Sequence, residues 1–249
     1  MSEEQKQQFA SEIVDLPSGG KIYGKDSPLF DGKIELKYMT AKEEDILTSQ
    51  NLIKKGLVLE KLIDSLILTP GVTMGDLITG DKNAVMVAAR ILAYGPEYNA
   101  TINNPDTGEK IQHVFNLADC PFRKVPEGTI ENSFKFELPV SKSTVVFRII
   151  TGHDEKAIDR ELKSLSKLSQ VSPELTTRLR HTIISVDGDS TPGKINSFVN
   201  NMLARDSMAL RKELTRVSPD IILKQEVDMG GDAVDVDIPL TVNFFWPTT

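Results

Sequence analysis

A glycine-rich segment near the start of the chain has the spacing of a phosphate-binding loop. Residues 19–25 read GGKIYGK, which satisfies the G-x-x-x-x-G-K part of that motif. The motif also requires a hydroxyl after the lysine, to ligate magnesium, and a helix that begins there and offers its amides to phosphate. Here the acidic Asp26 follows the lysine, and the next residues, SPLFDGKIEL, have the pattern of a strand. We therefore predict a turn at this position and no nucleotide site.

The three histidines and the single cysteine are the other candidates for catalysis. His113, His153 and His181 are far apart in the sequence, without an H-x-x-x-H pair or a G-x-S-x-G motif, so we interpret them as surface or hydrogen-bonded residues. Cys120 lies in ADCPFRK, where the nearby arginine and lysine could lower the pKa of its thiol. The alternative, which we favour, is a small buried apolar side chain.

Two clusters of carboxylates have the residue type that binds calcium. Asp187 and Asp189 lie in VDGDS, but Pro192 stands where an EF-hand loop needs its glycine. The second cluster falls in the last hairpin and consists of Asp228, Asp232, Asp235 and Asp237. Strand alternation places Asp235 and Asp237 together on the solvent face. We predict no metal, no cofactor and no catalytic residue, and hence a protein that is not an enzyme.

Composition excludes several classes of partner. The chain has 249 residues, with 29 Lys and Arg and 36 Asp and Glu, a formal net charge of −7. A nucleic-acid binder would need a concentrated basic face, so we expect no nucleic-acid partner. The longest apolar-rich segment, residues 56–68, is interrupted by three charged residues and is too short to span a bilayer, so we expect no membrane contact. The polar, acidic start lacks the apolar stretch of a secretory signal.

The first part of the chain has the pattern of short strands followed by three helices. Residues 1–15 lack periodicity and are expected to form a flexible arm, and residues 16–23 indicate two short strands around a turn. Thr40 and Glu43 have the spacing of a capping box at the start of a helix. Residues 56–68 place their apolar positions on one helical face. A third helix is predicted with Asp81 as its N-cap and Gly95 as its C-terminal glycine.

The rest of the chain alternates between hairpins and helices. Hairpins are predicted over residues 98–117, 133–150 and 220–245, and helices over residues 154–168, 191–204 and 206–217, the last with Asp206 as its N-cap. These patterns predict an α+β fold, in which helical blocks alternate with antiparallel β-hairpins in two pseudo-equivalent halves. We expect an N-terminal α+β region over residues 16–150. A C-terminal helical region, closed by a hairpin, is expected over residues 151–249.

Three of the chain's few aromatic residues stand together at its end, in LTVNFFWPTT. Phe244, Phe245, Trp246 and Pro247 either complete the core of their own domain or bind another subunit. Successive side chains of a strand alternate between its faces, so Phe244 and Trp246 are expected on one face and Phe245 on the other. Burying both faces requires either a covering layer from the same chain or a partner. These four residues are the candidate partner-binding site.

Several segments together resemble one family of phage proteins. In order along the chain they are LPSGGKIY, MTAKEEDILTS, GDKNAVMVAARILAYGPEY, LPVSKSTVVFRIITGHDEKAI, DSMALRKELTRVSPDI and IPLTVNFFWP. They cover residues 16–247 and resemble proteins of T-even-type contractile-tail phages that are assigned to the baseplate hub and its assembly. The resemblance implies a non-enzymatic structural or assembly protein, present in the host cytoplasm during assembly and in the tail baseplate if it stays in the virion. Its partners would be other tail or hub proteins.

Two alternatives accompany this resemblance. The protein could be a transient assembly chaperone for another tail protein such as the tape measure, absent from the finished virion. It could also be a metal- or nucleotide-dependent enzyme whose motif has degenerated, an interpretation that depends on GGKIYGK and the Asp-rich hairpin. The resemblance further implies a Cys-x-x-Cys pair in the hairpin turns, which suggests a zinc knuckle. This chain has NNPDTGEK and DMGGDAV there, without cysteine, so we expect no zinc.

Overall fold

Helices and small antiparallel sheets share the chain, as the sequence predicts for an α+β fold. The computed structural model describes residues 10–103, 108–165, 172–228, 233–239 and 244–246. Within these residues there are eight helices and 11 strands, and the strands form four two-stranded sheets and one three-stranded sheet. The predicted fold class is confirmed.

The first half of the chain, residues 11–123, places two strands before its helices and a hairpin after them. Its strands and helices are β1 (Ser11–Asp15), β2 (Lys33–Lys37), α1 (Ala41–Thr48), α2 (Gln50–Lys55), α3 (Val58–Leu66), α4 (Thr79–Tyr94), β3 (Glu97–Asn103), β4 (Lys110–Asn116) and β5 (Phe122–Arg123). Ser11–Asp15 were expected to belong to a flexible arm, but they pair with β2 along their whole length. The second short strand expected before residue 23 is also wrong, because residues 21–23 continue a series of turns.

The second half, residues 134–246, follows the same plan with one additional strand. Its strands and helices are β6 (Phe134–Glu137), β7 (Thr144–Phe147), α5 (Gly152–Leu165), α6 (Glu174–Thr182), β8 (Ile183–Val186), α7 (Pro192–Asn200), α8 (Ala204–Val217), β9 (Asp220–Ile221), β10 (Lys224–Asp228) and β11 (Ala233–Asp237). The predicted hairpins and helices of this region are present, with shifted ends.

Strand pairing is equivalent in the two halves. In the first half β1 pairs with β2, and Leu36 of β2 forms an antiparallel bridge to Ile67 on its other side. In the second half β6 pairs with β7, and Phe147 of β7 lies opposite Ile183 of β8. Both central strands lead into a helix, and both halves later continue through a long helix and a proline into a hairpin. The similarity therefore concerns the order and the pairing of the elements.

The predicted capping box at α1 is confirmed. The carboxylate of Glu43 accepts hydrogen bonds from the backbone amide of Thr40 (3.0 Å) and from its hydroxyl (2.6 Å). The ammonium of Lys37, three residues before Thr40, lies 2.7 Å from the same carboxylate. Because Lys37 and Glu43 are buried, this cluster fixes how the chain turns from β2 into α1.

The same cluster recurs at the start of α5. The carboxylate of Asp154 accepts hydrogen bonds from the backbone amide of Thr151 (2.8 Å) and from its hydroxyl (3.1 Å). Arg148, three residues before Thr151, binds both carboxylate oxygens at 2.9 and 2.7 Å. The spacing basic-x-x-Thr-x-x-acidic thus builds the same junction in both halves.

Two hydrophobic clusters do not follow the expected division near residue 150. The first contains Leu36, Leu62 and Phe115 of the first half together with Phe244 and Phe245 at the end of the chain. The second is built from β6, β7 and the helices that follow them. A boundary at residue 150 would separate β7 from the strand and helices against which it packs. The repeated order of strands and helices runs from β1 to β5 and again from β6 to β11, while a domain division near residue 150 stays a prediction.

Candidate functional site

The phosphate-loop-like segment forms turns, as predicted. Gly19 and Gly20 have φ angles of 58° and 75°, in the left-handed region that glycine adopts without strain. A Cβ atom on Gly20 would collide with the backbone carbonyl of Phe30, so the chain passes too closely there for a side chain. The first helix after the lysine begins only at Ala41. The segment therefore lacks the helix that would offer amides to a phosphate.

This segment instead surrounds a buried carboxylate. Asp81 accepts hydrogen bonds from the backbone amide of Ser18 (2.9 Å), from its hydroxyl (2.6 Å) and from the hydroxyl of Tyr23 (2.7 Å). Burial raises the pKa of Asp81, and the hydrogen bonds from Ser18 and Tyr23 lower it in part. The expectation that Asp81 is an N-cap is wrong, because Ile78 occupies that position and Asp81 stands in the first turn of α4.

Asp206 occupies the equivalent place in the second half. It lies in the first turn of α8, after Leu203 as N-cap, so the expectation for this aspartate is wrong in the same way. Its carboxylate accepts the backbone amides of Val140 (2.8 Å) and Ser141 (3.0 Å). Burial raises the pKa of Asp206, but these amide bonds outweigh burial and hold the pKa below its usual value. Both aspartates bind a loop that begins with Leu-Pro.

The three histidines are separate and each has a local neighbour. The ring of His113 packs edge-on against Phe115, with 4.7 Å between the centroids. His153 Nε2 lies 3.2 Å from Asp76, and His181 Nε2 lies 3.1 Å from Glu161. Each histidine thus contacts a neighbour of its own, which agrees with the interpretation as surface or hydrogen-bonded residues.

Cys120 is buried, as the favoured interpretation predicts. Burial raises the pKa of its thiol, so the neighbouring basic residues do not activate it. The amide of Gln225 lies 3.8 Å from the sulfur and belongs to β10 of the second half. The thiol is part of the packing between the two hairpins.

The carboxylate clusters serve turns and exposed strand faces. Asp187 accepts the backbone amide of Thr144 (2.8 Å), and Asp189 accepts that of Thr191 (2.8 Å). On β11, Asp235 and Asp237 are both exposed, as the alternation predicts, and Asp232 lies outside the described residues. In the part of the chain that the structure describes, no group of three or more His, Cys, Asp or Glu is placed to hold a metal ion. Within the same residues, no helix is long and apolar enough to cross a membrane.

The aromatic run at the end of the chain packs into the first hydrophobic cluster. Phe244 and Phe245 are both buried, and their rings meet edge-on with 5.1 Å between the centroids. The ring of Tyr98, at the start of β3, meets Phe244 edge-on at 5.2 Å. The Tyr98 hydroxyl donates a hydrogen bond to the carbonyl of Pro239 (2.8 Å). These contacts join the end of the second half to the first hairpin.

The two phenylalanines therefore complete the core of their own chain. The expectation that they lie on opposite faces of a strand is wrong, because residues 244–246 lie outside the strands and both rings enter the same cluster. Trp246 is partly buried against that cluster and keeps some exposed surface, while Pro247 lies outside the described residues. A contact of this segment with a partner stays a prediction that concerns Trp246 and Pro247 first.

The two halves also meet through backbone hydrogen bonds. The amide of Gly152 donates to the carbonyl of Leu77 (2.9 Å), and the amide of His153 donates to the carbonyl of Gly75 (2.8 Å). Gly152 and His153 are the first two residues of α5, whose amides have no acceptor within the helix. The first half thus provides the acceptors that the start of α5 lacks.

Apolar and close backbone contacts complete this junction. Ile22 and Ile78 of the first half form a buried cluster with Ile149 of the second. A Cβ atom on Gly80 would collide with the carbonyl of Pro219, so glycine is required where α4 meets the chain entering β9. Sequence reasoning missed this junction. The glycines at positions 75, 80 and 152 are its only sequence signal, and nothing in their spacing pairs them across the chain.

A groove of about 470 Å³ lies between α3 and α5, and basic side chains outnumber acidic ones in its lining. Its basic side chains are Lys55, Lys82, Lys156, Arg160 and Lys163, beside the acidic Glu60, Glu155 and Asp159. Lys156 and Glu60 form an ion pair across the groove at 2.9 Å. The basic groove could not be predicted from the sequence, because its cationic residues come from three separate helices. Such a groove attracts an acidic segment more strongly than the rest of this acidic molecule does.

Comparison with known proteins gives one match. A family model described as T4 bacteriophage base plate protein matches residues 9–246. No curated protein and no solved structure matches the chain. The matched residues include all the described strands and helices of both halves.

Proposed function

The chain belongs to the T4 bacteriophage base plate protein family, and we propose that it is a component of the baseplate hub of a contractile tail, acting through contacts with other baseplate proteins. The observation that carries this proposal is the family match from residue 9 to residue 246. The hub, as opposed to another part of the baseplate, is inferred from the resemblance of the ordered segments, including the closing IPLTVNFFWP.

The contacts of the candidate reactive groups support a role without catalysis. The buried carboxylates of Asp81 and Asp206 hold loops in place, and each histidine interacts with a neighbour of its own. Cys120 has a raised pKa, which disfavours the thiolate that nucleophilic catalysis requires. These groups have structural roles, and we therefore infer that the protein acts through contacts of its surface.

An assembly factor is the second candidate function. A permanent subunit keeps a large, stable interface with its neighbours, whereas a chaperone binds a client transiently and leaves. The client would be another tail protein, of which the tape measure is one candidate. The basic groove between α3 and α5 suits either role, since an acidic segment could bind there permanently or for the duration of assembly.

The first test is quantitative mass spectrometry of purified finished tails and of lysate from infected cells. The amount of this chain is compared with that of a known hub component in both samples. A constant ratio to that component in finished tails supports a structural hub subunit. Abundance in the lysate with loss from finished tails contradicts the structural proposal and favours the assembly factor. Presence in tails without any association with hub proteins would exclude the hub.

A further inference from the structure

The junction between the two halves uses different surfaces of each. The first half contributes the segment before α4, and the second contributes the start of α5. Because the halves are equivalent, each of them carries both kinds of surface. The start of α1 in the first half and the segment before α8 in the second half are therefore the two surfaces that the junction does not use.

The side chains at the equivalent positions of these unused surfaces are exposed. Ile78, the residue before α4, is 1% exposed and Ile149, two residues before the capping threonine, is 5% exposed, because they pack together in the junction. The residue before α8 is Leu203, which is 50% exposed, and the residue two before the capping threonine of α1 is Tyr38, which is 37% exposed. The pair that is buried inside the chain thus has two exposed counterparts, one in each half.

The backbone groups show the same difference. The amide of Gly152, the first residue of α5, is satisfied by the carbonyl of Leu77. The equivalent amide belongs to Ala41, the first residue of α1, and the equivalent carbonyl belongs to Met202. Within the residues that the structure describes, neither group has a hydrogen-bond partner. The first half therefore has an available donor, and the second half has an available acceptor.

We propose that these two unused surfaces bind each other between copies of this chain, so that Leu203 of one copy packs against Tyr38 of the next and the Met202 carbonyl accepts the Ala41 amide. The contact repeats between chains the junction that already joins the halves within one chain. It is head to tail, because it uses two different surfaces, and such a contact produces rings or open chains of subunits. The occupant of each unused surface is a second copy of this chain.

Two side chains make the contact between chains weaker than the junction within a chain. Ala41 stands in place of Gly152, and a Cβ atom added to Gly152 would lie only 3.1 Å from the backbone of Met74 and Gly75. Arg205 stands in place of Gly80, where a Cβ collides with the carbonyl of Pro219. The backbones must therefore lie further apart between chains. We expect an association that is weak in dilute solution and that grows where the protein is concentrated.

Sedimentation equilibrium of the full chain tests the proposal, from about 1 µM to about 1 mM, a range that covers weak protein contacts. Leu203→Glu and Tyr38→Glu each place a charge in the contact and are expected to raise the dissociation constant at least about tenfold. Val114→Glu is the matched control, because Val114 is about as exposed as Leu203 but lies on the hairpin. Arg205→Gly removes the obstruction and is expected to strengthen association.

Mixing the two charge variants is the most specific test of a head-to-tail contact. A head-to-tail contact predicts that each variant alone is monomeric while their mixture forms a 1:1 dimer, since each supplies the surface that the other has lost. Circular dichroism melts confirm that the variants are folded. A wild-type chain that stays monomeric over the whole range, together with a monomeric Arg205→Gly, would overturn the proposal. Association that persists in both charge variants would overturn it as well. Neither result bears on the hub assignment, which is tested in finished tails.

Discussion

At the scale of single residues, buried carboxylates organise the loops of this protein. Asp81 and Asp206 both stand in the first turn of a long helix, where the helix dipole favours negative charge. Each one binds the backbone of a loop that begins with Leu-Pro. The helix start thus stabilises the charge, and the charge in turn fixes a loop that is distant in sequence.

Replacing Asp81 by asparagine is expected to destabilise the fold by about 2 kcal/mol, within the range for hydrogen bonds to charged groups. Asparagine keeps one acceptor oxygen, and its amide would face the Ser18 and Tyr23 hydroxyls that now donate to Asp81. Urea denaturation followed by circular dichroism measures the loss. Asp45→Asn, on the exposed face of α1, is the control and should change stability by less than about 0.5 kcal/mol. Equal effects of the two substitutions would contradict the role given to Asp81.

The stability of the folded protein is expected to depend on pH through the ionised carboxylate of Asp154. Burial raises its pKa, but the hydrogen bonds from Arg148 and Thr151 outweigh burial and hold the pKa below its usual value. Because the folded state binds this proton more weakly than the unfolded state, the stabilisation is present above about pH 4, the usual pKa of an aspartate, and is lost as pH falls through the folded pKa.

Asp154→Asn is therefore expected to be less stable than the wild type near neutral pH, by about 1 kcal/mol because the pair is partly exposed. The difference should shrink as the pH falls below about 4, where the wild-type carboxylate becomes protonated. Thermal melts of both proteins over this pH range provide the measurement. Asp159→Asn, an exposed position on the same helix, should follow the wild-type curve. A difference that stays constant with pH would mean that the ion pair with Arg148 is not its origin.

How much of this residue-scale chemistry can be predicted depends on sequence distance. Thr40 and Glu43 are three residues apart, so their capping box follows from the sequence. Ser18 and Asp81 are 63 residues apart, and only the folded chain brings them together. Local rules favour an aspartate near a helix start as an N-cap, and they gave the wrong role for Asp81 because its partner is not local.

At the scale of elements, the segment that follows each hairpin packs against the segment that begins the other hairpin. β5 follows the first hairpin and pairs with β9, which leads into the second hairpin. In return, Phe244 follows the second hairpin and packs on Tyr98 at the start of the first. Alternation predicts the hairpins themselves but cannot predict this exchange, because it depends on contacts between segments more than 90 residues apart.

Phe244→Ala is expected to cost about 3 to 5 kcal/mol, the range for removing a buried phenylalanine. The substitution leaves a cavity between Tyr98 and Phe245, whose rings both meet Phe244. Urea denaturation measures the cost. Phe30→Ala is the matched control, since Phe30 is partly exposed and should lose far less. If Phe244→Ala changes the free energy of unfolding only slightly and melts normally, the interpretation that this segment binds a partner would be favoured instead.

At the scale of the whole molecule, the sequence carries the repeat in only a few places. Both halves have a Leu-Pro loop, a Thr-x-x-acidic helix start and a proline before a hairpin. The intervening residues differ in type and spacing, so the sequence predicts two pseudo-equivalent halves but not their boundary. The residues that join the halves, such as Gly80 and Pro219, have no pattern that links them.

This interlocking predicts that the chain can be divided between Ile130 and Glu131 without losing its fold. Ile130 is highly exposed in the connection between the halves, so a break there removes few contacts. The first fragment would lack Val227, Phe244 and Phe245 from its main hydrophobic cluster, and the second would expose them to water. Neither fragment is therefore expected to be stable alone, and together they should form a 1:1 complex.

Co-expression with a tag on one fragment, followed by size-exclusion chromatography, measures this association. Replacing both phenylalanines at the end of the second fragment by alanine should abolish the complex, because the first cluster then stays uncovered. Two fragments that elute separately, each with a cooperative melt of its own, would contradict the interlocked arrangement. In that case the halves would be independent domains, and the end of the chain would be free to bind a neighbour in the baseplate.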